Sequence, residues 1–253
     1  MKKRFENRVV AITGAASGLG QTCALRFASE GAELILLDIN VEGLKHTAAQ
    51  IRALGSQCTS IAIDLADEGA IAELGDALLE QFSKIDVLYN NAGLAYGEIN
   101  KMLDAVDQAS WLRFLSINTL APLFLAKALR PALANAKGVV LNQSSMAAYA
   151  PASVYGVTKS ALNQVTYGMA HLFAEDNIRV NAIAPGIMET QASKDSLDKA
   201  TYERVQGMQL STLHGTADDI ASLALFLASE EGRFINCEVV HCDAGNRLRG
   251  WRE

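Results

Sequence analysis

The stretch RVVAITGAASGLG, residues 8–20, decides the fold of this chain. It begins with an apolar, β-branched run over residues 8–13 that predicts a strand, and glycines follow directly. An amphipathic pattern over residues 18–29 then predicts a helix that stops at Gly31. Because glycine permits tight turns and close approach, this strand, turn and helix predict a pyrophosphate site at the helix N-terminus. The same spacing also occurs in tight turns that bind no ligand.

Asp38 directly follows the next apolar run, residues 33–37, about 20 positions beyond the glycines. A carboxylate in this place accepts hydrogen bonds from a ribose 2′-hydroxyl and repels a 2′-phosphate. The glycine loop and the residues just after Asp38 contain no Arg or Lys. The sequence therefore predicts NAD rather than NADP as the cofactor. The alternative role for Asp38 is a cap for the following helix.

Apolar runs and helical patterns alternate along the rest of the chain. Further strands are predicted over residues 57–63, 85–88, 138–141, 178–183 and 238–241, and helices over residues 41–54, 67–82, 108–134, 153–176 and 217–227. This alternation predicts an α/β fold, a doubly wound Rossmann-type parallel sheet with helices on both faces. No repeat or linker interrupts it, so residues 1–253 are predicted to form a single domain. The polar segment 189–210 is predicted to be a substrate lid.

Composition narrows the function classes. Half of the residues are hydrophobic and the net charge is -6, so neither nucleic acid nor an anionic membrane is expected as a partner. The first apolar run is too short for a signal peptide, and no uninterrupted stretch of ~20 apolar residues is present, so a cytoplasmic protein is expected. The cysteines, Cys23, Cys58, Cys237 and Cys242, have neither zinc nor disulfide spacing, and no metal is expected.

A tyrosine and a lysine stand four residues apart at Tyr155 and Lys159. On the helix predicted over residues 153–176, residues four apart lie on one face. A neighbouring ammonium lowers the pKa of a tyrosine from its usual value near ~10, which gives a proton carrier that works near neutrality. The alternative is an ordinary pair of side chains on a solvated helix face.

Motifs along essentially the whole chain resemble those of the short-chain dehydrogenase/reductase family. They are TGAASGLG (residues 13–20), Asp64-Leu65, NNAG (90–93), Asn118, Ser144-Ser145, the Y-x-x-x-K of Tyr155 and Lys159, VNAIAPG (180–186) and CDAG (242–245). Each motif is moderately specific, and their order and intervals are very specific. The resemblance implies NAD(P)(H) as cosubstrate and a catalytic set of Asn118, Ser145, Tyr155 and Lys159.

The resemblance also implies a role for each catalytic residue. Tyr155 exchanges a proton with the reacting oxygen, and Ser145 hydrogen-bonds that oxygen. Lys159 lowers the pKa of the tyrosine and holds the nicotinamide ribose, while Asn118 holds a water linked to Lys159. In many family members the serine lies thirteen positions before the tyrosine, where this chain has Asn142. We infer a three-residue deletion that keeps Ser145 in the role, and Ser144 is the alternative.

Cofactor and substrate contacts follow from the same resemblance. Asp64 and Leu65 are expected beside the adenine, residues 91–93 along the adenosine ribose, and residues 185–190 around the nicotinamide amide. The predicted cofactor-binding residues are Gly14, Ser17, Gly18, Leu19, Gly20, Asp38, Asp64, Leu65, Asn91, Ala92, Gly93, Tyr155, Lys159, Pro185, Gly186, Ile187 and Thr190. The predicted substrate-pocket residues are Ala95, Tyr96, Met146, Ala147, Tyr149 and Met188.

This mostly apolar and uncharged pocket predicts a neutral, fairly hydrophobic secondary alcohol, or a hydroxysteroid-like substrate, and its ketone. One alternative is a 3-oxoacyl thioester reductase, for which Lys101, Arg113 and Lys194 are available basic residues. Another is a nucleotide-sensing protein without turnover. The resemblance further implies a homotetramer or homodimer through second apolar stripes on two helices, namely Leu120, Leu123 and Ala126, and Leu162 and Met169. The alternative is that both stripes belong to the core.

Overall fold

The computed structural model describes residues 3–149 and 152–246, and in this part of the chain it has nine β-strands and ten α-helices. The strands are β1 (Val9–Thr13), β2 (Glu33–Asp38), β3 (Cys58–Ala62), β4 (Val87–Asn90), β5 (Val139–Gln143), β6 (Arg179–Pro185), β7 (Met188–Glu189), β8 (Gly215–Thr216) and β9 (Val239–Cys242). The helices are α1 (Gly18–Ser29), α2 (Val41–Ala53), α3 (Glu68–Gln81), α4 (Gln108–Leu115), α5 (Ala121–Ala128), α6 (Arg130–Ala136), α7 (Val154–Leu172), α8 (Gln191–Ser196), α9 (Lys199–Gln206) and α10 (Ala217–Ala228).

Seven strands form one parallel sheet in the order β3-β2-β1-β4-β5-β6-β9. In its centre, Val10 of β1 is opposite Leu34 of β2 and Val87 of β4. The strand order reverses between β1 and β4, which opens a crevice at the carboxyl ends of these strands. The predicted fold class, a single doubly wound Rossmann-type α/β domain, is confirmed.

Alternate residues of each central strand face two separate cores. On β2, Leu34 and Leu36 pack into the core with α1, α2 and α10, whereas Ile35 and Leu37 pack into the core with α3, α5, α6 and α7. All four side chains are fully buried. Successive side chains of a strand point to opposite faces, so a sheet covered on both faces needs an unbroken apolar run. The apolar runs of the sequence therefore correspond to the strands of the sheet, which is the middle layer between two layers of helices.

The prediction of one continuous helix over residues 108–134 is wrong. α4 ends at Leu115, residues Ser116–Leu120 form a π-turn, and α6 starts separately at Arg130. Pro131 lies in the first turn of α6, where its missing N–H is tolerated, and its ring prevents a continuous helical ladder across that point. The strand predicted over residues 85–88 is also displaced, because the N–H of Ile85 donates to the carbonyl of Ala132 instead of joining the sheet.

Residues 188–216 form a unit whose two ends are paired. β7 and β8 make a separate two-stranded parallel sheet, and α8 and α9 lie between them. Next to this pairing, Glu189 Oε1 and His214 Nδ1 are 2.8 Å apart. The sequence predicted only a polar, mobile segment here, whereas the structure has two helices that begin at the capping residues Thr190 and Asp198.

The apolar stripes predicted to join subunits are mostly internal. Ala126, Leu162 and Met169 are buried in the core, and among the stripe residues Leu120 is exposed. Residues 108–128 have the length and composition of a membrane span. Their buried side chains, such as Leu125, belong to the protein core, and a core helix passes the same test.

Phe27 tests the assignment of the core. It is fully buried and packs edge to face against Phe5, with ring centroids 4.8 Å apart. Phe27→Ala should lower the free energy of unfolding by about 3–5 kcal/mol, because it removes buried contacts and leaves a cavity. Phe234→Ala is the matched control, since Phe234 is 99% exposed, and should change it by less than about 0.5 kcal/mol. Urea denaturation measures both, and equal losses would contradict the placement of Phe27.

Candidate active site

One cleft of about 950 Å³ extends along the carboxyl ends of the parallel strands. Its lining includes a residue at or just beyond the end of several strands: Gly14 after β1, Asp38 on β2, Asn91 after β4, Ser144 after β5 and Gly186 after β6. Open α/β sheets bind ligands at this edge, beside the point where the strand order reverses. The fold therefore brings residues that are far apart in the sequence into one site.

The glycine turn fits a pyrophosphate. Gly14 has a φ of +66°, and a Cβ on it would lie 2.8 Å from Asn91 Nδ2. A Cβ on Gly20 would lie 2.1 Å from the carbonyl oxygen of Gly14, so α1 packs directly on the turn. Gly18, with a φ of +55°, faces open space in the cleft. A phosphate can therefore approach the first N–H groups of α1, which Ser17 caps without a side-chain hydrogen bond.

Asp38 fixes the turn beside this site. Its Oδ2 accepts from the N–H of Ala16 at 3.0 Å, and its Oδ1 accepts from the N–H of Asn40 at 2.9 Å. The cap of α2 is Asn40, whose side chain accepts from the N–H of Gly43, so Asp38 is not the helix cap. Each carboxylate oxygen has a second lone pair. Asp38 lines the cleft and can accept a further hydrogen bond there.

Tyr155 lies in the first turn of α7, which the side chain of Ser153 caps. The Ser145 hydroxyl lies near the phenol and acts to lower the pKa of Tyr155. Although the side chain as a whole is only half-buried, its hydroxyl end is desolvated. Desolvation outweighs the effect of Ser145 and raises the pKa of Tyr155 to about 12, with a smaller contribution from the nearby phenol of Tyr96. The phenol is therefore protonated at neutral pH in this structure.

Lys159 is 3% exposed and is not on a solvated helix face. Its Nζ donates to the carbonyl oxygen of Gln143 at 2.7 Å and lies 5.8 Å from the centroid of the Tyr155 ring. Burial lowers the pKa of Lys159 to about 8. The sequence predicts that this ammonium lowers the pKa of Tyr155, but in the structure it does not offset the desolvation of the phenol.

The two serines face different partners. Ser144 is buried, and its hydroxyl donates to Asn163 Oδ1. Both serines line the cleft, but only Ser145 lies beside the Tyr155 hydroxyl. Asn142 belongs to β5, and its Nδ2 donates to Thr166 Oγ1. Of these three residues, the geometry favours Ser145 for contact with a reacting oxygen.

Asn118 lies in the π-turn between α4 and α5 and is fully buried. Its Oδ1 accepts from the N–H of Leu94 at 2.8 Å, and its Nδ2 donates to the carbonyl of Leu94 and to Thr158 Oγ1. A Cβ on Gly93 would lie 3.1 Å from Asn118 Oδ1 and 3.3 Å from Lys159 Nζ. Asn118 therefore fixes the loop after β4 beside Lys159, and the water predicted to link Asn118 and Lys159 stays a prediction.

The remaining predicted site residues lie together in the lining of the cleft, with three exceptions. Every predicted cofactor-binding residue except Gly20 lines the cleft, and so do Ala95, Tyr96, Met146, Ala147 and Met188. Gly20 lies behind the turn, and Asn118 lies behind the loop. Tyr149 is 44% exposed, and its ring packs against His241 outside the lining, so its placement in the substrate pocket is corrected.

Sequence reasoning missed part of the cleft wall. Thr201, Arg204 and Val205 of α9 line it, as does Ile117 of the π-turn. Arg113 also lines the cleft, whereas Lys101 is outside the lining and pairs with Glu98 at 3.0 Å. The spacing i, i+3, i+4 on α9 marks one helix face. The sequence predicted a lid over residues 189–210, but it does not indicate which helix face meets the cleft.

The glycine turn fits a dinucleotide, and a cluster of Ser, Tyr and Lys side chains lies in the same cleft. Together they define the class of protein as a nicotinamide-dependent oxidoreductase. A family model described as Enoyl-(Acyl carrier protein) reductase matches residues 14–247. The 7alpha-hydroxysteroid dehydrogenase of Escherichia coli is 30% identical over 246 residues, which are 96% of this chain and 95% of that protein. The levodione reductase of Leifsonia aquatica is 33% identical over 257 residues, covering 96% and 95%. The chain belongs to the short-chain dehydrogenase/reductase family.

Solved structures of relatives agree in fold and differ in cofactor. A 7 alpha-hydroxysteroid dehydrogenase complexed with NADH and 7-oxo glycochenodeoxycholic acid has a TM-score of 0.88 and 30% identity, covering 96% of both chains. The L-sorbose reductase of Gluconobacter frateurii, complexed with NADPH and L-sorbose, has a TM-score of 0.86 and 25% identity, covering 98% of this chain and 99% of that one. The similarity to these structures therefore indicates a nicotinamide cofactor but does not distinguish NADH from NADPH.

The two serines provide a matched test of the site. Ser145→Ala should lower kcat by about 10²–10³ with any alcohol that the protein oxidises, because a donor to the developing charge is lost. Ser144→Ala should lower kcat by less than about tenfold but lower the free energy of unfolding by about 1–3 kcal/mol, because Asn163 loses a buried partner. Steady-state kinetics and urea denaturation separate the two effects. A larger kcat loss at Ser144 would reverse the assignment.

Proposed function

We propose that this protein uses NAD to interconvert a secondary alcohol and its ketone by hydride transfer, with Tyr155 as the acid and base. The observation that carries the proposal is that Tyr155, Ser145 and Lys159 line one cleft, with the Ser145 hydroxyl near the phenol and Lys159 Nζ 5.8 Å from the centroid of its ring. These groups place a proton donor and a hydrogen-bond donor at one point, where a carbonyl oxygen can contact both.

In the reducing direction, Tyr155 gives its proton to the carbonyl oxygen, and Ser145 stabilises the charge that develops on that oxygen. The nicotinamide supplies the hydride when it is bound. Lys159 lies close enough to stabilise the phenolate as it forms, and it is proposed to hold the nicotinamide ribose as well. In the oxidising direction Tyr155 must first lose its proton, so oxidation needs a higher pH than reduction.

The wall near Tyr155 favours a fairly hydrophobic substrate around the reacting carbon. Ala95, Met146, Ala147, Ile187 and Met188 line the cleft there. Apolar walls with a few convergent polar groups bind the carbon skeleton and orient the oxygen. A hydroxysteroid-like substrate agrees with this wall, and a relative of known structure binds 7-oxo glycochenodeoxycholic acid.

The choice of NAD depends on Asp38. Its carboxylate lies in the cleft, where it can accept from a ribose 2′-hydroxyl. The neighbouring Ile39 is 65% exposed and offers no positive charge for a 2′-phosphate. These features also count against a 3-oxoacyl thioester reductase, because such family members usually use NADPH.

Assembly and location complete the proposal. The exposed side chains of Leu112, Leu120 and Leu172 are 58%, 40% and 49% accessible and support a homodimer or homotetramer. We place the protein in the cytoplasm with a small-molecule substrate, and with neither a nucleic-acid nor a membrane partner.

NADH formation from NAD and a panel of aliphatic, aryl, terpenoid and steroid alcohols tests the reaction. Turnover should rise with pH toward about 9, because Tyr155 acts as a base only when it is deprotonated. Tyr155→Phe should abolish turnover while NADH binding, followed by fluorescence, stays unchanged. Substantial residual turnover in this variant would exclude Tyr155 as the acid and base. Tight NADH binding without turnover of any substrate would favour a sensor.

Asp38→Ala tests the cofactor choice. The wild type should prefer NAD to NADP, and the variant should lose about tenfold or more of that preference because the repulsion of a 2′-phosphate is removed. The ratio of kcat/KM for the two cofactors measures this. Glu42→Ala, a neighbouring exposed carboxylate on α2, is the control and should keep the preference. An unchanged ratio in Asp38→Ala would limit this residue to fixing the turn.

A further inference from the structure

Two arginines stand on the wall of the catalytic cleft and have no part in the chemistry described so far. Arg113 comes from α4 and Arg204 from α9, and both line the same cleft as Tyr155. Within residues 3–149 and 152–246, neither guanidinium forms an ion pair with a carboxylate. Both side chains are exposed. Their positive charges are therefore accessible from the cleft.

Helix geometry explains why both side chains point to this cleft. Ile117, in the π-turn that follows α4, also lines the cleft, so Arg113 and Ile117 belong to the same stretch of its wall. On α9, Thr201 and Val205 flank Arg204 on the face that lines the cleft. The two arginines thus belong to surfaces that already form the wall, and they come from two different elements.

The charged residues of the cleft wall differ in sign between the elements that carry them. The acidic residues of the described lining are Asp38 and Asp64, both at the end predicted for the adenosine. Lys159 is tied to the carbonyl of Gln143. The part of the wall made by α4 and α9 therefore has two positive charges and no negative one. In a cleft with low-dielectric walls such an arrangement attracts an anion.

We propose that the substrate carries an anionic group, a carboxylate or a phosphate, which Arg113 and Arg204 bind while its carbonyl carbon lies at Tyr155. The guanidinium is a planar fork of donors that matches both anions. This inference rests on the proposed function and changes one part of it, since the substrate is then amphipathic rather than neutral.

Methyl ketones of matched length test the proposal. The assay measures kcat/KM with NADH for (ω−1)-oxo acids of increasing chain length and for their primary amides. It also compares ω-phosphorylated methyl ketones with the corresponding methyl ketones that have a free ω-hydroxyl. At the best length the wild type should prefer the charged compound over its neutral match by about tenfold or more. The carboxylate and phosphate arms identify which anion is recognised. Equal rates for charged and neutral compounds would refute the proposal and leave the proposed function standing.

Variants of the two arginines test which residues cause the preference for charged over neutral ketones. Arg113→Gln and Arg204→Gln should each raise KM for the charged ketones several-fold more than KM for the matched amides, and the double variant should lose the preference. Arg52→Gln, an exposed arginine of α2 outside the cleft, is the control and should keep it. A preference that survives in the double variant would overturn the proposal. So would a loss of NADH affinity in place of ketone affinity, because the arginines would then bind the cofactor.

A binding measurement makes the test independent of turnover. Acids and primary amides of the same chain length that lack the ketone are titrated into the protein–NADH complex, so that NADH cannot be oxidised, and the NADH fluorescence is followed. The acids should bind about tenfold or more tightly than the amides in the wild type, and the difference should vanish in the double variant. If neither acids nor amides bind in the wild type, the inference fails whatever the panel of neutral alcohols shows.

Discussion

The hydrogen bond from Lys159 Nζ to the carbonyl of Gln143 is the contact on which the site depends. A buried ammonium must be paired with an acceptor, because its desolvation is otherwise costly. The acceptor here is the last residue of β5, so the bond ties α7 to the carboxyl edge of the sheet. Tyr155, one turn earlier on α7, is thereby placed over the cleft beside Ser145. The chemistry of the site is thus set by the attachment of one helix to the end of one strand.

The sequence predicted the sheet and its glycine turn well because both depend on local pattern. The unbroken apolar strands report burial on two faces, and the positive φ values of Gly14 and Gly18 are needed within the turn itself. The π-turn at Asn118 was not predictable in the same way. It is stabilised by hydrogen bonds to Leu94, a residue that is remote in sequence. A periodic pattern contains no information about such a partner.

The candidate site also has some features that follow from local pattern and others that depend on remote partners. The motif identified Tyr155 and Lys159 as neighbours, and the structure then separated the two adjacent serines by their partners, Asn163 and Tyr155. The effect of burial on the pKa of Tyr155 was missed because desolvation depends on what the fold places around the hydroxyl. The lid over residues 189–210 was predicted, but the lining residues of α9 were missed because helix amphipathicity shows that a face is covered without showing what covers it.

The pairing of β7 with β8 has a consequence for how this family diversifies. Because Met188–Glu189 and Gly215–Thr216 hold the two ends of residues 190–214 together, changes of length within that insert leave its attachment points in place. The entropy of closing a loop grows only slowly with its length. New specificities can therefore arise by insertion, deletion or exchange of this module. Ser145, just after β5, and Tyr155 and Lys159 on α7 lie outside the module, so such changes leave the elements that hold them in place.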